Sequence, residues 1–308
     1  MSALGEFRRL GTTRSGPRRK RDNKAAYLFL LPWFGGLLLI TAGPVVASFV
    51  LGFTDYNLIQ PPEFNGLANV RRMVADERLH QALGVTFGYV LGSVPLQLAA
   101  ALALAMLLDR GLRGLAFYRS AFYLPSLLGS SVAIAVLWRQ IFGAEGLFNR
   151  ALDLVGVSGR GWISDPDTAL STLIVLNVWT FGAPMVIFLA GLRQIPAMYY
   201  EAASVDGANR WTQFRRITLP LLSPIIFFNV VLQIIHAFQS FTQAFVVSGG
   251  TGGPSDSTLF YTLYLYQRGF HNFDMGYASA LAWLLLLIIA GFTALNFWAA
   301  KRWVFYDD

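Results

Sequence analysis

The sequence predicts an all-α polytopic membrane protein with six transmembrane helices, and three observations carry that prediction. Of 308 residues, 55% are hydrophobic and only 13% are Asp, Glu, Lys or Arg, against roughly 25% charged residues in a soluble domain. The mean hydropathy is +0.50, and the apolar residues gather into six long stretches. The connections on alternate sides of those stretches differ in the sign of their charge, as membrane topology requires. So apolar a composition also excludes a disordered chain.

The first 24 residues are polar and basic, carrying Arg8, Arg9, Arg14, Arg18, Arg19, Lys20, Arg21 and Lys24. A secretory signal starts in the same way, but here the apolar run continues from Ala25 to Phe53, too long for the hydrophobic region of such a signal. No small-residue cleavage pattern follows, so an uncleaved first helix is expected. Five further spans follow at Leu83–Leu108, Ser120–Trp138, Ala169–Ala190, Ile225–Val247 and Tyr277–Ala300, each near the ~20 residues that cross hydrocarbon. Residues 25–300 then form one membrane domain between a basic segment, 1–24, and a short tail, 301–308. The loops Thr54–Ala82, Arg139–Thr168 and Ser248–Gly276 are too short for separate domains.

An even number of spans puts both ends on one side. The N-terminal segment, Asp109–Arg119, Gly191–Pro224 and the tail hold 17 basic and 7 acidic residues, whereas the opposite loops hold 7 basic and 10 acidic. The positive-inside rule therefore predicts cytoplasmic termini. The net charge of +7 reads as topology, and no nucleic-acid partner is expected.

The chain has no Cys, and its three His, at positions 80, 236 and 271, lack metal-ligand spacing. No catalytic group and no metal are expected. Gly11-Thr12-Thr13-Arg14-Ser15-Gly16 begins like a phosphate-binding loop but continues Pro17-Arg18 in place of Lys-Ser/Thr. Any use of ATP would require another chain.

In the fifth span, Asn229, Gln233, His236, Ser240 and Gln243 recur at steps of four, three, four and three residues, which places them on one helical face. Such a stripe turns from lipid toward a substrate pathway or toward bonding with other helices, and the pattern alone leaves both open. Gln239 lies just off that face, and Tyr89, Gln97, Asn177, Trp179 and Thr180 are further candidates. The six spans contain no acidic residue, which disfavours a proton-driven carrier and suits a neutral, hydroxyl-rich cargo. Gly84, Gly88 and Gly92 leave a groove for a neighbouring helix. Pro32, Pro44 and Pro184 are sites for bends. Trp33, Trp138, Trp298 and Trp303 fall near span ends, where interfacial anchoring is expected, and no aromatic sugar platform stands out among 25 Phe, 8 Trp and 12 Tyr.

The interior connection runs IPAMYYEAASVDGANRWTQFRRITLPLLSP from Ile195 to Pro224. Glu201 favours an early helical turn, Ala202 and Ala203 leave a low-profile surface, and Gly207 ends the helix. Arg210, Arg215 and Arg216 follow, with Pro220 and Pro224 marking the return toward the fifth span. The projection either docks on a partner or packs on the membrane domain.

Glu201-Ala202-Ala203, Asp206-Gly207-Ala208, Phe214, Ile217, Leu219-Pro220 and Pro224 closely resemble the EAA loop of binding-protein-dependent ABC transporter permeases. The form is most similar to the carbohydrate-uptake branch, which includes subunits for maltose and glycerol phosphate. The likeness extends to Pro32-Trp33-Phe34, Tyr123-Leu124-Pro125, Gly191–Pro196, Gly249-Gly250-Thr251-Gly252-Gly253-Pro254 and Gly276-Tyr277-Ala278-Ser279-Ala280. With no long insertion between early spans, the chain resembles a compact first permease of a two-permease sugar importer. The resemblance implies a type I importer domain in a bacterial or archaeal cell membrane. It implies a coupling helix formed by Glu201, Ala202, Ala203, Asp206, Gly207 and Ala208. It also implies a second homologous permease, two cytoplasmic ATPase subunits that hold ATP and Mg, and an extracytoplasmic solute-binding protein. A secondary transporter would need an ion route and often shows repeated spans, neither of which stands out; a non-conducting assembly subunit is the other alternative.

Overall fold

A computed structural model describes residues 22–110 and 114–305. The basic residues before position 22, with the Gly11–Gly16 spacing, and the last three residues of the tail lie outside the described residues. The described chain divides into an N-terminal unit ending at Val50 and a second unit from Leu51 onward.

In the first unit, α1 (Asp22–Gly36) passes through a π-helical stretch, Leu37–Ala42, into α2 (Gly43–Leu51). The Gly43 N–H bonds the Leu38 carbonyl, five residues back. This wider turn precedes Pro44, whose ring lacks an N–H and would crowd an α-helical carbonyl four residues earlier. Pro32 sits inside α1 without a break. Tyr27–Leu51 is long and apolar enough to cross a membrane.

The second unit opens with a two-residue antiparallel pair, β1 (Thr54–Asp55) with β2 (Glu63–Phe64), and α3 (Ala68–Ala75). α4 (Glu77–Leu108) then runs for 32 residues, about 48 Å. α5 (Leu115–Leu127) and a 3₁₀ turn at Leu128–Ser130 meet α6 (Val132–Phe142) and α7 (Leu147–Asp153) at a bend of 90°. α8 (Pro166–Val178) meets α9 (Gly182–Leu192) at 45°. α10 (Ala197–Val205) precedes a long helical run made of α11 (Arg210–Gln213), a π stretch at Phe214–Thr218, α12 (Leu219–Phe238) and α13 (Thr242–Val247). α14 (Tyr261–Tyr266), a π stretch at Gln267–His271 and α15 (Met275–Ala300) complete it.

The chain is thus an all-α polytopic membrane protein. In place of six uniform spans, the described residues hold four helices long and apolar enough to cross a membrane, rising to six when each bent pair counts as one span. The third and fourth expected spans are the bent pairs. The fifth helix begins at Arg210 rather than Ile225, because Pro220 is absorbed: the Leu219 N–H bonds the Phe214 carbonyl, repeating the π solution used before Pro44.

α4 is the central element and packs against α8, α9 and α12. Tyr89, Val94, Leu98, Ala101 and Ala105 are buried along it. A Cβ at Gly92 would approach Ile174 to 2.8 Å, and one at Gly88 would lie 3.6 Å from Leu170, whereas Gly84 has nothing within 4 Å. Two of the three glycines therefore admit α8. Trp138 differs from the anchoring expectation: it is partly buried, and its indole N–H donates to the Thr172 carbonyl at 3.1 Å, tying α6 to α8.

A polar cluster closes the N-terminal end of α4. Asp76 caps the helix by accepting from the Leu79 N–H at 3.2 Å. Its carboxylate, with a side chain only 8% exposed, also faces Arg268 at 3.5 Å. It accepts from the Tyr277 hydroxyl at 2.7 Å and from the Tyr264 hydroxyl. Arg72 pairs with Asp274 at 2.7 Å, and Arg78 makes a two-pronged bond to Asp256 at 2.9 and 2.8 Å. Burial pushes the Asp76 carboxyl upward, but the two hydroxyls, the Leu79 N–H and Arg268 outweigh it and hold it below its ordinary value.

D76N removes the charge that these donors converge on, and we expect it to cost about 2 kcal/mol and lower the thermal aggregation midpoint of the solubilised chain. The sign of the pH effect follows from the lowered value: the stabilisation is complete above the unfolded carboxylate pKa near ~4 and declines as pH falls through the folded value. Midpoints that fall equally with acidification in wild type and D76N would reject this role.

Candidate functional site: a polar cavity and a projecting helix

The polar stripe of the fifth span does not lie on one continuous helix. α12 ends at Phe238, Phe241 departs from helical geometry at φ −134° and ψ −55°, and α13 starts at Thr242. The Ser240 carbonyl, outside either helix, accepts from the Thr262 hydroxyl. The Ser240 hydroxyl donates to Gln243 Oε1 at 3.0 Å.

This break forms one wall of a cavity of about 390 Å³. Gln233, His236, Ser240 and Gln243 line it together with Gln239; Asn229 does not. Asn229 is fully buried, its amide donates to the Ile225 carbonyl of its own helix at 3.0 Å, and its Oδ1 has no hydrogen-bond partner. It lies about one turn before Gln233, the first residue of the stripe to reach the cavity, and roughly three turns before the break, and is turned into packing.

The opposite wall is the α8–α9 bend. Gln97, reaching from α4, donates to the Thr180 carbonyl at 3.2 Å and to its hydroxyl at 2.8 Å, and accepts from the Asn177 amide at 3.1 Å. The Thr180 hydroxyl in turn donates to the Asn177 carbonyl at 2.7 Å. Three of the lesser sequence candidates thus meet in one network on the cavity, while Tyr89 packs in the core against Phe260, ring centroids 4.5 Å apart, and Trp179 lies off the lining. α5 closes the third side through Ser126. Its approach depends on Gly182, where a Cβ would fall 1.7 Å from Ser126 Oγ.

Among the described residues, no Asp, Glu, Lys or Arg lines this cavity. Its amides, hydroxyls and single imidazole can donate and accept hydrogen bonds together, the chemistry of a hydroxyl-bearing solute. Among the described residues no group of three or more His, Cys, Asp or Glu is placed to hold a metal ion.

At the C-terminal end of α4 the α10 segment stands out. Pro196 is extended, at φ −61° and ψ 133°, and the helix begins after it. Glu201 is therefore central in α10, correcting the expectation of a first-turn acid. The helix ends in a Schellman turn: the Ala208 N–H bonds the Ala203 carbonyl at 2.9 Å, and the Gly207 N–H bonds the Ser204 carbonyl at 3.1 Å. Gly207 supplies the left-handed residue at φ +78°. Asn209 then caps α11 by accepting from the Thr212 N–H at 2.9 Å.

One side of this segment is tied down. Gln213 donates to the Ser204 hydroxyl at 3.0 Å and the Ala208 carbonyl at 3.2 Å, and the Tyr200 and Thr218 hydroxyls meet at 3.0 Å. Ala203 and Ala208 are half-buried there, whereas Glu201, Ala202, Asp206 and Gly207 are exposed. The free side also carries Met198, Val205 and Trp211, of which Val205 is 89% exposed.

Residues 81–304 match the family described as the binding-protein-dependent transport system inner membrane component. The chain is 51% identical over 291 residues to "Probable ABC transporter permease protein YesP" of Bacillus subtilis (strain 168), covering 94% of each chain. It is 32% identical over 297 residues to the lactose transport system permease protein LacF of Rhizobium radiobacter, covering 94% of this chain and 98% of that one. Its fold is similar to a chain in the crystal structure of a bacterial alginate ABC transporter in complex with alginate pentasaccharide-bound periplasmic protein, with a TM-score of 0.78 at 19% identity over 92% of this chain and 96% of the other. With the family pattern matched over most of its length, the chain belongs to the inner membrane components of binding-protein-dependent transport systems.

Proposed function

We propose that this chain is the permease subunit of an ATP-driven carbohydrate importer, forming half of the pathway for a sugar or related polyol. The observation that carries the reading is the uncharged amide and hydroxyl cavity inside a permease of this family. The lactose permease and the alginate transporter named above support the cargo class. A second, homologous permease would close the open side of the cavity, and a solute-binding protein would deliver cargo from outside. The compact form without an early insertion supports the first-permease role. Each bent pair then counts as one crossing, giving six, with both termini cytoplasmic, a reading that the loop charges support.

α10 is the coupling helix in this reading, and Glu201, Ala202, Ala203, Asp206, Gly207 and Ala208 form its docking segment. Its free face suits a groove on a partner ATPase, and two such ATPase subunits would hold ATP and Mg. The helical run from Arg210 to Gln233 links that segment to the cavity wall across about 35 Å. Closure of the ATPase pair would move α10 and, through this rod, the cavity, exchanging inward and outward access.

Three outcomes test the proposal. Single cysteines at Glu201 and Ser257 should differ in labelling by an impermeant thiol reagent in sealed cells, with Ser257 reactive and Glu201 silent; equal labelling would reject the orientation. G207V forces a β-branched residue into a left-handed turn, at about 1–2 kcal/mol. Assembled G207V complexes should retain capture by the binding protein but lose cargo-stimulated ATP hydrolysis and uptake about tenfold, with E201A milder; normal stimulation in both would reject the coupling role. Finally, Q233A and Q243A should each lower uptake at least fivefold without loss of assembly, whereas N229A, outside the cavity, should stay within twofold of wild type. The opposite ranking would move the pathway elsewhere.

A further inference from the structure

Four aromatic rings connect the polar cavity to a second one. Phe241 and Phe245 stack with centroids 5.2 Å apart, Tyr266 lies 5.3 Å from Phe241 and 5.6 Å from Phe245, and Phe270 stacks on Tyr266 at 5.3 Å. Phe241 lines the polar cavity, while Phe245 and Tyr266 line a separate concavity of about 460 Å³. The rings are therefore a continuous ladder between two spaces. Phe241 and Phe245 are half-buried, Tyr266 is 38% exposed and Phe270 is 55% exposed.

Planar polar groups surround the upper rungs. Arg78, Gln267, His271 and Asn272 line the second cavity with Phe245 and Tyr266. Two of them are fixed: Gln267 donates to the Gly250 and Thr251 carbonyls at 2.8 and 3.1 Å, and Arg78 is held by Asp256. A lipid-facing patch would not ring its aromatics with a guanidinium, two amides and an imidazole. A pyranose ring matches both features. Its C–H face is attracted to the electron-rich face of an aromatic ring, and its hydroxyls pair with planar donors and acceptors at the rim.

We propose that Phe241, Phe245, Tyr266 and Phe270 form a carbohydrate track, with a binding subsite for one pyranose ring at Phe245 and Tyr266 that passes the sugar over Phe241 into the polar cavity. This rests on the carbohydrate-importer reading and adds to it a second sugar site outside the polar cavity. The ladder spacing lets a ring leave one platform while the next residue of an oligosaccharide occupies it, so that no fully solvated step separates the two cavities.

The test uses the complete complex, with companion permease and ATPase subunits, in lipid nanodiscs. A panel of neutral and uronic-acid disaccharides serves as probe in saturation-transfer difference NMR. Saturation should reach the ring C–H protons of at least one sugar, fall about fivefold in F245A and Y266A, and return in F245Y and Y266F. In proteoliposomes the alanine variants should raise the half-saturating cargo concentration about tenfold, equivalent to about 1.4 kcal/mol, with maximal uptake changed less than twofold. Unchanged saturation transfer in F245A and Y266A, alongside sugar uptake by the wild type, overturns the track and leaves the importer reading standing. Loss of the companion permease from these variants on co-purification overturns it in favour of a permease interface. A wild-type complex that neither binds nor carries any sugar of the panel overturns both.

Discussion

Hydrocarbon offers no hydrogen bonds, so each backbone group released where a helix breaks must find a partner inside the protein. That constraint explains where the polar side chains of this chain sit. The α8–α9 bend releases backbone groups around Thr180, and Gln97 from α4 meets its carbonyl and hydroxyl while engaging Asn177. The α12–α13 break leaves the Ser240 carbonyl to the Thr262 hydroxyl. Both breaks face the same cavity, because polar groups needed at one interruption are tolerated only beside another interruption or a solvated space. The polar cavity is thus the shared solution to two interrupted helices, and its amide and hydroxyl lining follows from the same requirement that makes it suitable for a hydroxyl-bearing solute.

The uninterrupted parts of the fold have the complementary role. α4 runs the full depth of the second unit, with the Asp76 cluster at one end and the α9–α10 connection at the other. The run from Arg210 through α12 survives Pro220 because a π stretch, rather than a kink, absorbs the missing N–H. The same device precedes Pro44. These prolines leave rods rather than joints, so bending is confined to the places where side chains have taken over the released backbone bonds.

Much of this was legible in the sequence, and the limits have physical causes. Composition read the membrane class directly, because lipid exposure acts on residue type rather than on tertiary contacts. The end of α10 was legible because Gly207 is a local requirement: only a left-handed residue closes a Schellman turn without strain. The stripe at Gln233, His236, Ser240 and Gln243 was found by periodicity even though the helix breaks inside it. The break itself was hidden, since Gln239-Ser240-Phe241 contains neither Pro nor Gly and the partner that takes up the released Ser240 carbonyl, Thr262, lies 22 residues away. Asn229 obeyed the same periodicity and yet turned into packing, because spacing fixes a face of one helix and cannot say how far along that face the cavity extends.

The Asp76 cluster and the aromatic ladder were missed for different reasons. Asp76 meets Tyr264 and Tyr277 across separations of 188 and 201 residues, and nothing local distinguishes it from a surface acid that caps a helix. The ladder did leave a local trace: Phe241 and Phe245, like Tyr266 and Phe270, are four residues apart and so share a helical face. Among 25 Phe in a chain whose aromatics are mostly explained by lipid and packing, two such pairs carry no weight singly. They become a site only when α13, with Phe241 just before it, and α14, with the π stretch that follows it, bring the pairs together and the polar rim of Arg78, Gln267, His271 and Asn272 gathers around them. A periodic pair specifies a face, and a binding surface needs two faces and a reason to be wet.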